Sequence, residues 1–206
     1  GELLHAPDTY MDKIAVGPGI EPGVVDLDLD PAENARRLAE AKGCAVSALT
    51  ACVLERERHD HIVKALREAG VRVNLIPDGD VAGVIAVADP QGDADIYIGR
   101  GGAPEGVLAA AALRCFGGWM QGRLHFRTDE ERERAKRVGV EDLDRKYALE
   151  ELAGPHCLFV ATGVTDGQLL DGPHRAGSAV LTESLLLSSV TGYRRRIIST
   201  RPVPGS

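Results

Sequence analysis

Long apolar segments and targeting signals are missing from this sequence of 206 residues. The longest apolar runs, such as residues 107–113, are far shorter than the roughly 18–20 residues that cross a bilayer. The N-terminus also has no signal-peptide pattern. These absences predict a cytoplasmic protein that does not have a membrane as a partner.

An excess of positive charge is also missing. The chain carries 24 Lys and Arg residues against 31 Asp and Glu residues, which gives a formal net charge of −7. Because nucleic acids and anionic membrane surfaces attract basic proteins, this balance argues against nonspecific binding to either of them. Neighbouring basic side chains can still bind a phosphate group.

Cysteines are few, and none is placed for zinc or redox chemistry. Cys44, Cys52, Cys115 and Cys157 lie far apart, with no Cys-x-x-Cys or Cys/His spacing. We expect them to be reduced core residues. No Gly-x-Ser-x-Gly segment or cysteine-centred motif supports a covalent acyl intermediate, so ligand binding through phosphate and metal remains.

What the sequence does contain is an alternation of helical and strand-like segments, which predicts an α/β fold. The helical patterns lie at residues 31–42, 59–69, 78–87, 104–115 and 129–138. The strand-like segments lie at residues 44–54, 71–76, 95–99, 119–126, 157–162, 179–187 and 192–199. The early alternation indicates a parallel or mixed sheet covered on both faces, and the last three strands are expected to be antiparallel.

Two further segments have simpler interpretations. The helix at 129–138 has Glu130–Arg134 and Glu133–Arg137 at the i,i+4 spacing, which is typical of a solvated face with surface ion pairs. Residues 201–206, RPVPGS, are predicted to be a loose tail.

The segment GRGGAPEG, residues 99–106, is the strongest local signal of a functional site. It follows a predicted strand, and it places Pro104 at a helix start and Glu105 in the first helical turn. Glycines let a ligand approach the backbone, and the positive end of the helix keeps a nearby carboxylate ionised, as a metal ligand must be. The alternative is that Pro104 and Glu105 are only good helix-start residues after a tight turn.

Carboxylates and arginines follow two other predicted strands. Asp78 and Asp80 flank a glycine, and such a pair can bind a cation or sugar hydroxyls, although D-G-D is also a plain turn that caps a helix. Arg56 and Arg58, at alternate positions of an extended segment, would point to one side and clamp one phosphate, or they are ordinary surface charges. His59, which follows them, is expected to be a helix-start residue and not a metal ligand.

Two polar segments are weaker candidates. In YMDKIAVGP, Tyr10 can donate a hydrogen bond to a phosphate oxygen, and the alternative is a half-buried strand with Ile14 and Val16 inside. The loop ATGVTDG, which contains Asp166, is interpreted as turn chemistry.

Taken together and in order, YMDKIAVGP, the Arg-x-Arg before a helix, IPDGDVAG, GRGGAPEG, MQGRL and ATGVTDG resemble class II (GlpX-type) fructose-1,6-bisphosphatases. The resemblance covers essentially the whole chain and roughly the C-terminal two-thirds of the family pattern. It implies the later part of a layered α/β/α/β/α sugar-phosphatase fold. Residues 1–43 would then end a first, metal-binding domain, and residues 44–200 would form a second α/β region.

The resemblance also implies an activity and a set of site residues. Glu105 occupies the position of the family glutamate that binds the catalytic divalent metal, Mg²⁺ or Mn²⁺. The implied substrate contacts are Tyr10, Arg56, Arg58, Asp78, Asp80 and Gly102. The implied reaction is hydrolysis of the 1-phosphate of fructose 1,6-bisphosphate, a step of gluconeogenesis, and in some members of sedoheptulose 1,7-bisphosphate.

The family's other metal ligands belong to a part of the pattern upstream of this chain. The expected partners are therefore a sugar bisphosphate, the upstream segment as a separate chain or missing part, and a second copy of the chain in a homo-oligomer. A non-catalytic sugar-phosphate-binding or regulatory protein is the alternative. A nucleotide-binding oxidoreductase is disfavoured because Pro104 stands where a third glycine would be required.

Overall fold

A computed structural model describes residues 3–202 and contains ten strands and six α-helices within them. The strands are β1 (Tyr10–Val16), β2 (Thr50–Leu54), β3 (Arg72–Ile76), β4 (Ile96–Gly102), β5 (Trp119–His125), β6 (Lys146–Ala148), β7 (Leu158–Thr162), β8 (His174–Ala176), β9 (Ala179–Ser188) and β10 (Arg194–Pro202). The helices are α1 (Pro31–Lys42), α2 (Asp60–Glu68), α3 (Asp80–Ala86), α4 (Ala103–Phe116), α5 (Asp129–Arg137) and α6 (Leu149–Leu152). Short 3₁₀ turns lie at Val46–Ala48 and Glu57–His59.

The larger sheet has six strands in the order β3-β2-β4-β1-β5-β6. Strands β3, β2 and β4 are parallel, whereas β1 is antiparallel to both of its neighbours, β4 and β5. The expected mixed sheet is therefore confirmed. Since β1 runs against its neighbours, its first residue, Tyr10, lies beside the last residues of β4 and β5.

Helices cover both faces of this sheet. On one face, α1 and α2 bury apolar residues such as Leu38 and Leu66 against Ile14 of β1. On the other face lie α3, α4 and α6. Helix α4 is buried on nearly all of its sides, because a second sheet packs against the side that faces away from the larger sheet. Its own buried residues are mostly small and include Ala109 to Ala112.

The smaller sheet is antiparallel, with the order β10-β9-β7 and with β8 also paired to β9. Phe159, Leu185 and Leu187 face α4 and are buried. The opposite face is open, and Leu158 and Val160 there are 67% and 58% exposed. The described residues thus form four alternating layers, α/β/α/β, and the predicted five-layer sugar-phosphatase architecture stays a prediction.

The helix boundaries follow from capping residues that are recognisable in the sequence. The Asp30 side chain accepts a hydrogen bond from the N–H of Ala32 at 2.8 Å, and Gly43 ends α1 with a φ of 64°. Thr128 caps α5 by accepting from the N–H of Glu131.

The segment 44–54 contains the expected strand, which begins at Thr50 after a 3₁₀ turn. Arg201 and Pro202 were expected in a loose tail but pair with Val180 and Ala179 in the smaller sheet. Residues 203–206 of that tail lie outside the described part of the chain.

Helix α5 is largely solvated as expected, with only Glu131 and Ala135 of its residues buried, although no ion pair joins Glu130 to Arg134 among residues 3–202. One cysteine departs from the expectation. Cys44 is exposed, whereas the other three cysteines are buried as expected, and all four are free thiols.

Two expectations concern larger units. Strand β1, from the predicted first domain, pairs along both edges with strands of the predicted second region, so within the described residues the sheet does not divide at residue 43. The assignment of residues 1–43 to a separate domain stays a prediction. No helix in the described range is long and apolar enough to cross a membrane.

Candidate functional site

Four strands of the larger sheet end at one edge, and a cleft of about 630 Å³ opens there. The residues that follow β2, β3, β4 and β5 meet at this edge, together with those that precede the antiparallel strand β1. The cleft is lined by Asp8, Thr9, Tyr10, Leu54, Arg56, Arg58, Asp78, Asp80, Gly101, Gly102, Glu105, Arg127, Glu131 and Arg134. All seven residues predicted from the sequence are brought together here.

Glu105 lies in the first turn of α4 at the mouth of the cleft. Its side chain is exposed and has no hydrogen-bond or ion-pair partner among residues 3–202. Gly102 caps this helix with ordinary extended dihedral angles, and a Cβ added there would collide with the Glu105 carboxylate. The carboxylate therefore folds back over the glycine, where the positive end of the helix favours its charge.

Asp80 occupies the floor of the cleft in an ion pair with Lys13, whose side chain is 1% exposed. The Lys13 ammonium also donates a hydrogen bond to the carbonyl of Gly102 at 3.0 Å. Burial lowers the pKa of Lys13, although the charge of Asp80 opposes this change. One buried lysine thus joins the loop after β3 to the loop after β4.

The D-G-D turn contains two aspartates in different environments. Asp78 is exposed and accepts a hydrogen bond from the N–H of Gly79, which has a φ of 83°. This is the turn chemistry considered as the alternative. The Asp80 side chain pairs with Lys13 and does not cap α3, so the capping interpretation fails for this residue.

Arg56 and Arg58 both line the cleft, but not through the expected extended segment. Arg58 lies in a 3₁₀ turn and donates to the carbonyl of Arg100, with Nη2 at 2.7 Å. Arg56 precedes the turn and donates to the carbonyl of Pro77 at 2.7 Å. The alternation argument was therefore wrong in its geometry, although both guanidinium groups reach the same cleft.

Two residues that the sequence interpretation did not assign, Arg127 and Arg134, line the β5 side of the cleft. Arg127 and Arg58 both lie against the ring of Tyr10, at 4.9 and 5.2 Å from its centroid. The position of Arg127 just after a predicted strand was the available signal, because ligand-contacting residues gather at the carboxyl ends of strands.

His59 supports the cleft from below and is not free to bind a metal. Its Nδ1 donates to the carbonyl of Leu54, and its Nε2 accepts from the N–H of Arg100, each at 2.8 Å. Burial lowers the pKa of His59, which favours this neutral form. The expectation that His59 is a helix-start residue is confirmed, since it caps α2.

A group of side chains with metal-ligand chemistry lies outside the cleft. Asp166, Asp171 and His174 have ligand atoms within 4.8 Å of one another, and all three are exposed. Within the described range, Glu105 belongs to no such group of three or more. The cleft therefore offers free carboxylates, those of Glu105 and Asp8 among them, but the described residues bring no three metal-ligand atoms together there.

Comparison with known proteins identifies the family. The profile of bacterial, glpX-encoded fructose-1,6-bisphosphatases matches residues 1–201. The chain belongs to this family. As a GlpX-type chain, it is 42% identical to "Fructose-1,6-bisphosphatase 1 class 2" of Escherichia coli (strain K12), over 97% of this chain and 63% of that protein.

A second relative of the GlpX-type chain carries a double name. It is "D-fructose 1,6-bisphosphatase class 2/sedoheptulose 1,7-bisphosphatase" of Synechococcus sp. (strain JA-3-3Ab), 42% identical over 92% of this chain and 58% of that protein. The chain thus spans about three-fifths of the length of the curated relatives that it matches. The predicted resemblance to the class II family is confirmed.

Proposed function

We propose that this chain acts in the metal-dependent hydrolysis of the 1-phosphate of fructose 1,6-bisphosphate. The single observation that supports this best is the placement of Glu105, an unpaired carboxylate beside arginines in one cleft. Arginine forks suit phosphate, and a free carboxylate suits a divalent cation that neutralises phosphate charge.

The residues of the cleft would bind and orient the substrate. The guanidinium groups of Arg56 and Arg58 would hold the distal phosphate, with the Tyr10 hydroxyl as a further donor. Asp78 and Asp80 would accept hydrogen bonds from sugar hydroxyls, and the backbone of Gly102 would contact the sugar. Such fixed placement contributes to catalysis because it removes the entropy cost of orienting the reacting groups.

The metal is proposed to be Mg²⁺ or Mn²⁺, with Glu105 as one ligand. A divalent cation at this place would neutralise charge on the phosphate oxygens and lower the pKa of an attacking water. One glutamate cannot hold such a cation by itself, so the other ligands would come from further residues. We propose that they belong to the upstream part of the family pattern.

The test compares Glu105→Gln with Glu40→Gln. Glu40 is an exposed glutamate of α1 that does not line the cleft. In an assembly that releases phosphate in a metal-dependent way, Glu105→Gln should lower the rate by about a hundredfold or more, since a metal-bound charge is lost. Glu40→Gln should leave the rate unchanged. Full activity of Glu105→Gln would contradict the site assignment.

A second candidate, a non-catalytic sugar-phosphate binder, is favoured by one observation. Four arginines line the cleft, whereas the described residues form no group of three or more metal ligands that includes Glu105. Calorimetry with fructose 1,6-bisphosphate in EDTA separates the two functions. Binding without metal and without any turnover supports the binder, and metal-dependent phosphate release supports the enzyme.

The substrate range and the assembly also stay proposals. A seven-carbon bisphosphate is proposed as a second substrate, because the Synechococcus relative is named for both. A homo-oligomer is proposed as well, and light scattering of the purified protein measures it directly.

A further inference from the structure

Basic side chains reach the cleft from two opposite sides. Arg56 and Arg58 follow β2, whereas Arg127 follows β5 and Arg134 lies in α5. Strands β4 and β1 lie between β2 and β5, so the backbones of the two sides are about 14 Å apart, whereas the guanidinium groups of Arg58 and Arg127 reach inward to 5.2 and 4.9 Å from the centre of the Tyr10 ring. Long arginine side chains that reach inward from both sides can bracket a sugar phosphorylated at both ends.

Arg127 is held in a fixed orientation. Its Nη2 and Nε donate to Oε1 of Glu131 at 2.6 and 3.1 Å, and its guanidinium lies against the Tyr10 ring. The hydrogen bonds from Arg127 hold the pKa of Glu131 at about 2, so this carboxylate stays charged. The pair presents an ordered guanidinium whose own charge is largely balanced.

Arg134 differs because its charge is not balanced. Its guanidinium has no ion-pair or hydrogen-bond partner among residues 3–202, although Glu130 precedes it by one helical turn. It lines the cleft in the next turn of α5 after Glu131. An unpaired guanidinium beside an ordered one is an arrangement that recognises phosphate through charge and directed hydrogen bonds.

We propose that Arg127 and Arg134 form a second phosphate-binding edge of the cleft, which contacts the substrate phosphate that Arg56 and Arg58 do not hold. This inference rests on the proposed function of the same cleft, and it deepens that function by giving each end of a sugar bisphosphate its own arginine pair. Helix α5, whose charges suggested a merely solvated surface, then takes part in substrate recognition.

Calorimetry on the full chain tests this proposal with fructose 1,6-bisphosphate, fructose 1-phosphate and fructose 6-phosphate. Arg134→Gln is the informative variant, since its side chain is exposed and its loss should not disturb folding. Arg132→Gln is the matched control, because Arg132 is an arginine of the same helix that lies over Phe126 and does not line the cleft.

Arg134→Gln should weaken binding of the bisphosphate about tenfold, the usual effect of losing one charge-assisted contact. It should also weaken the binding of one monophosphate and leave the binding of the other unchanged. Arg56→Gln should weaken the binding of the other monophosphate instead. In the double variant, Arg56→Gln with Arg134→Gln, the fold-loss of affinity for the bisphosphate should equal the product of the two single fold-losses, because the two sites hold different phosphates.

Two results would overturn the proposal. One is an affinity of Arg134→Gln equal to that of Arg132→Gln, and the other is weakening of the same monophosphate by Arg134→Gln and Arg56→Gln. Both results leave the proposed function intact as long as the unsubstituted chain binds the bisphosphate. If the unsubstituted chain does not bind the bisphosphate, this inference fails, whereas the proposed function is judged separately, by metal-dependent phosphate release in the complete assembly.

Discussion

The two sheets of the molecule offer polar groups to solvent in different ways. The larger sheet is covered on both faces, and its site residues are fixed from below by buried groups such as Lys13 and His59. The smaller sheet is covered on one face, and the potential ligands beside it, Asp166, Asp171 and His174, are all exposed. The comparison suggests that a functional edge needs buried polar anchors and not only suitable side chains at its rim.

The anchors also explain why a side chain does not fit at Gly101 of the cleft. A Cβ on Gly101 would collide with the Asp80 carboxylate and lie 3.1 Å from the Lys13 nitrogen. A Cβ on Gly167, beside the smaller sheet, would meet only one carbonyl oxygen at 3.7 Å, an ordinary contact. Tight packing also occurs beside the smaller sheet, where a Cβ on Gly163 would collide with the carbonyl of Asp171, but there the colliding atoms belong to the backbone and not to charged side chains.

The largest effect is expected from Lys13→Met, which removes the anchor of the larger sheet. Asp80 would be left as a buried charge without its partner, which should lower the free energy of unfolding by about 3–5 kcal/mol. Arg196→Met, which breaks the more exposed pair with Glu183 in the smaller sheet, should cost about 1 kcal/mol or less. Urea denaturation measures both, and equal losses would remove the distinction between the sheets.

The next effect is expected from Gly102→Ala, which displaces the Glu105 carboxylate without disturbing the backbone. Because the colliding group is the end of a flexible side chain, the midpoint of thermal unfolding should hardly change. Metal-dependent phosphate release should fall at least about tenfold if the carboxylate binds the cation. Gly167→Ala is the control from the other sheet, and equal activities of the two variants would argue against the placement of Glu105.

A smaller effect is expected from pH. Burial lowers the pKa of His59 in the folded protein, so the unfolded chain binds the proton first as the pH falls. The free energy of unfolding should therefore decline as the pH falls below the ordinary histidine pKa of about 6.5. His59→Gln should flatten this decline only in part, because burial also lowers the pKa of His125. An unchanged slope in His59→Gln would contradict this account.

The smallest effect is expected from Asp171→Asn in the exposed group beside the smaller sheet. In an assembly that releases phosphate in the proposed metal-dependent way, Asp171→Asn should leave the rate within about twofold of that of the unsubstituted assembly, since an exposed carboxylate without buried support contributes little. The metal concentration that gives half-maximal activity is the quantity to measure. A loss as large as that of Glu105→Gln would move the metal site to the smaller sheet.

Local chemistry made much of the fold and site predictable. Asp30 and Gly43 marked α1, and the rule that ligands gather at carboxyl ends of strands brought Arg56, Asp80 and Glu105 to one edge. The pairing of Lys13 with Asp80 was not predictable, because 67 residues separate them and only the sheet brings them together.

Helix α5 shows a second limit of sequence interpretation. Its charge pattern is that of a solvated helix, and nothing local indicates that Arg134 faces a cleft. The 3₁₀ turn at Arg58 was hidden for a similar reason, since an alternating Arg-x-Arg suits an extended segment equally well. In both cases the tertiary arrangement decides between local conformations of similar energy.

The position of β1 in the middle of its sheet has a consequence for how the protein folds. Its partners come from far along the chain, and the hydroxyl of Thr9 donates to the carbonyl of His125 across 116 residues. Contacts of such high sequence separation require large loops to close, which slows folding and delays these contacts. The cleft should therefore be among the last parts of the molecule to become native, and recovery of ligand binding after dilution from denaturant should lag behind recovery of helical circular dichroism.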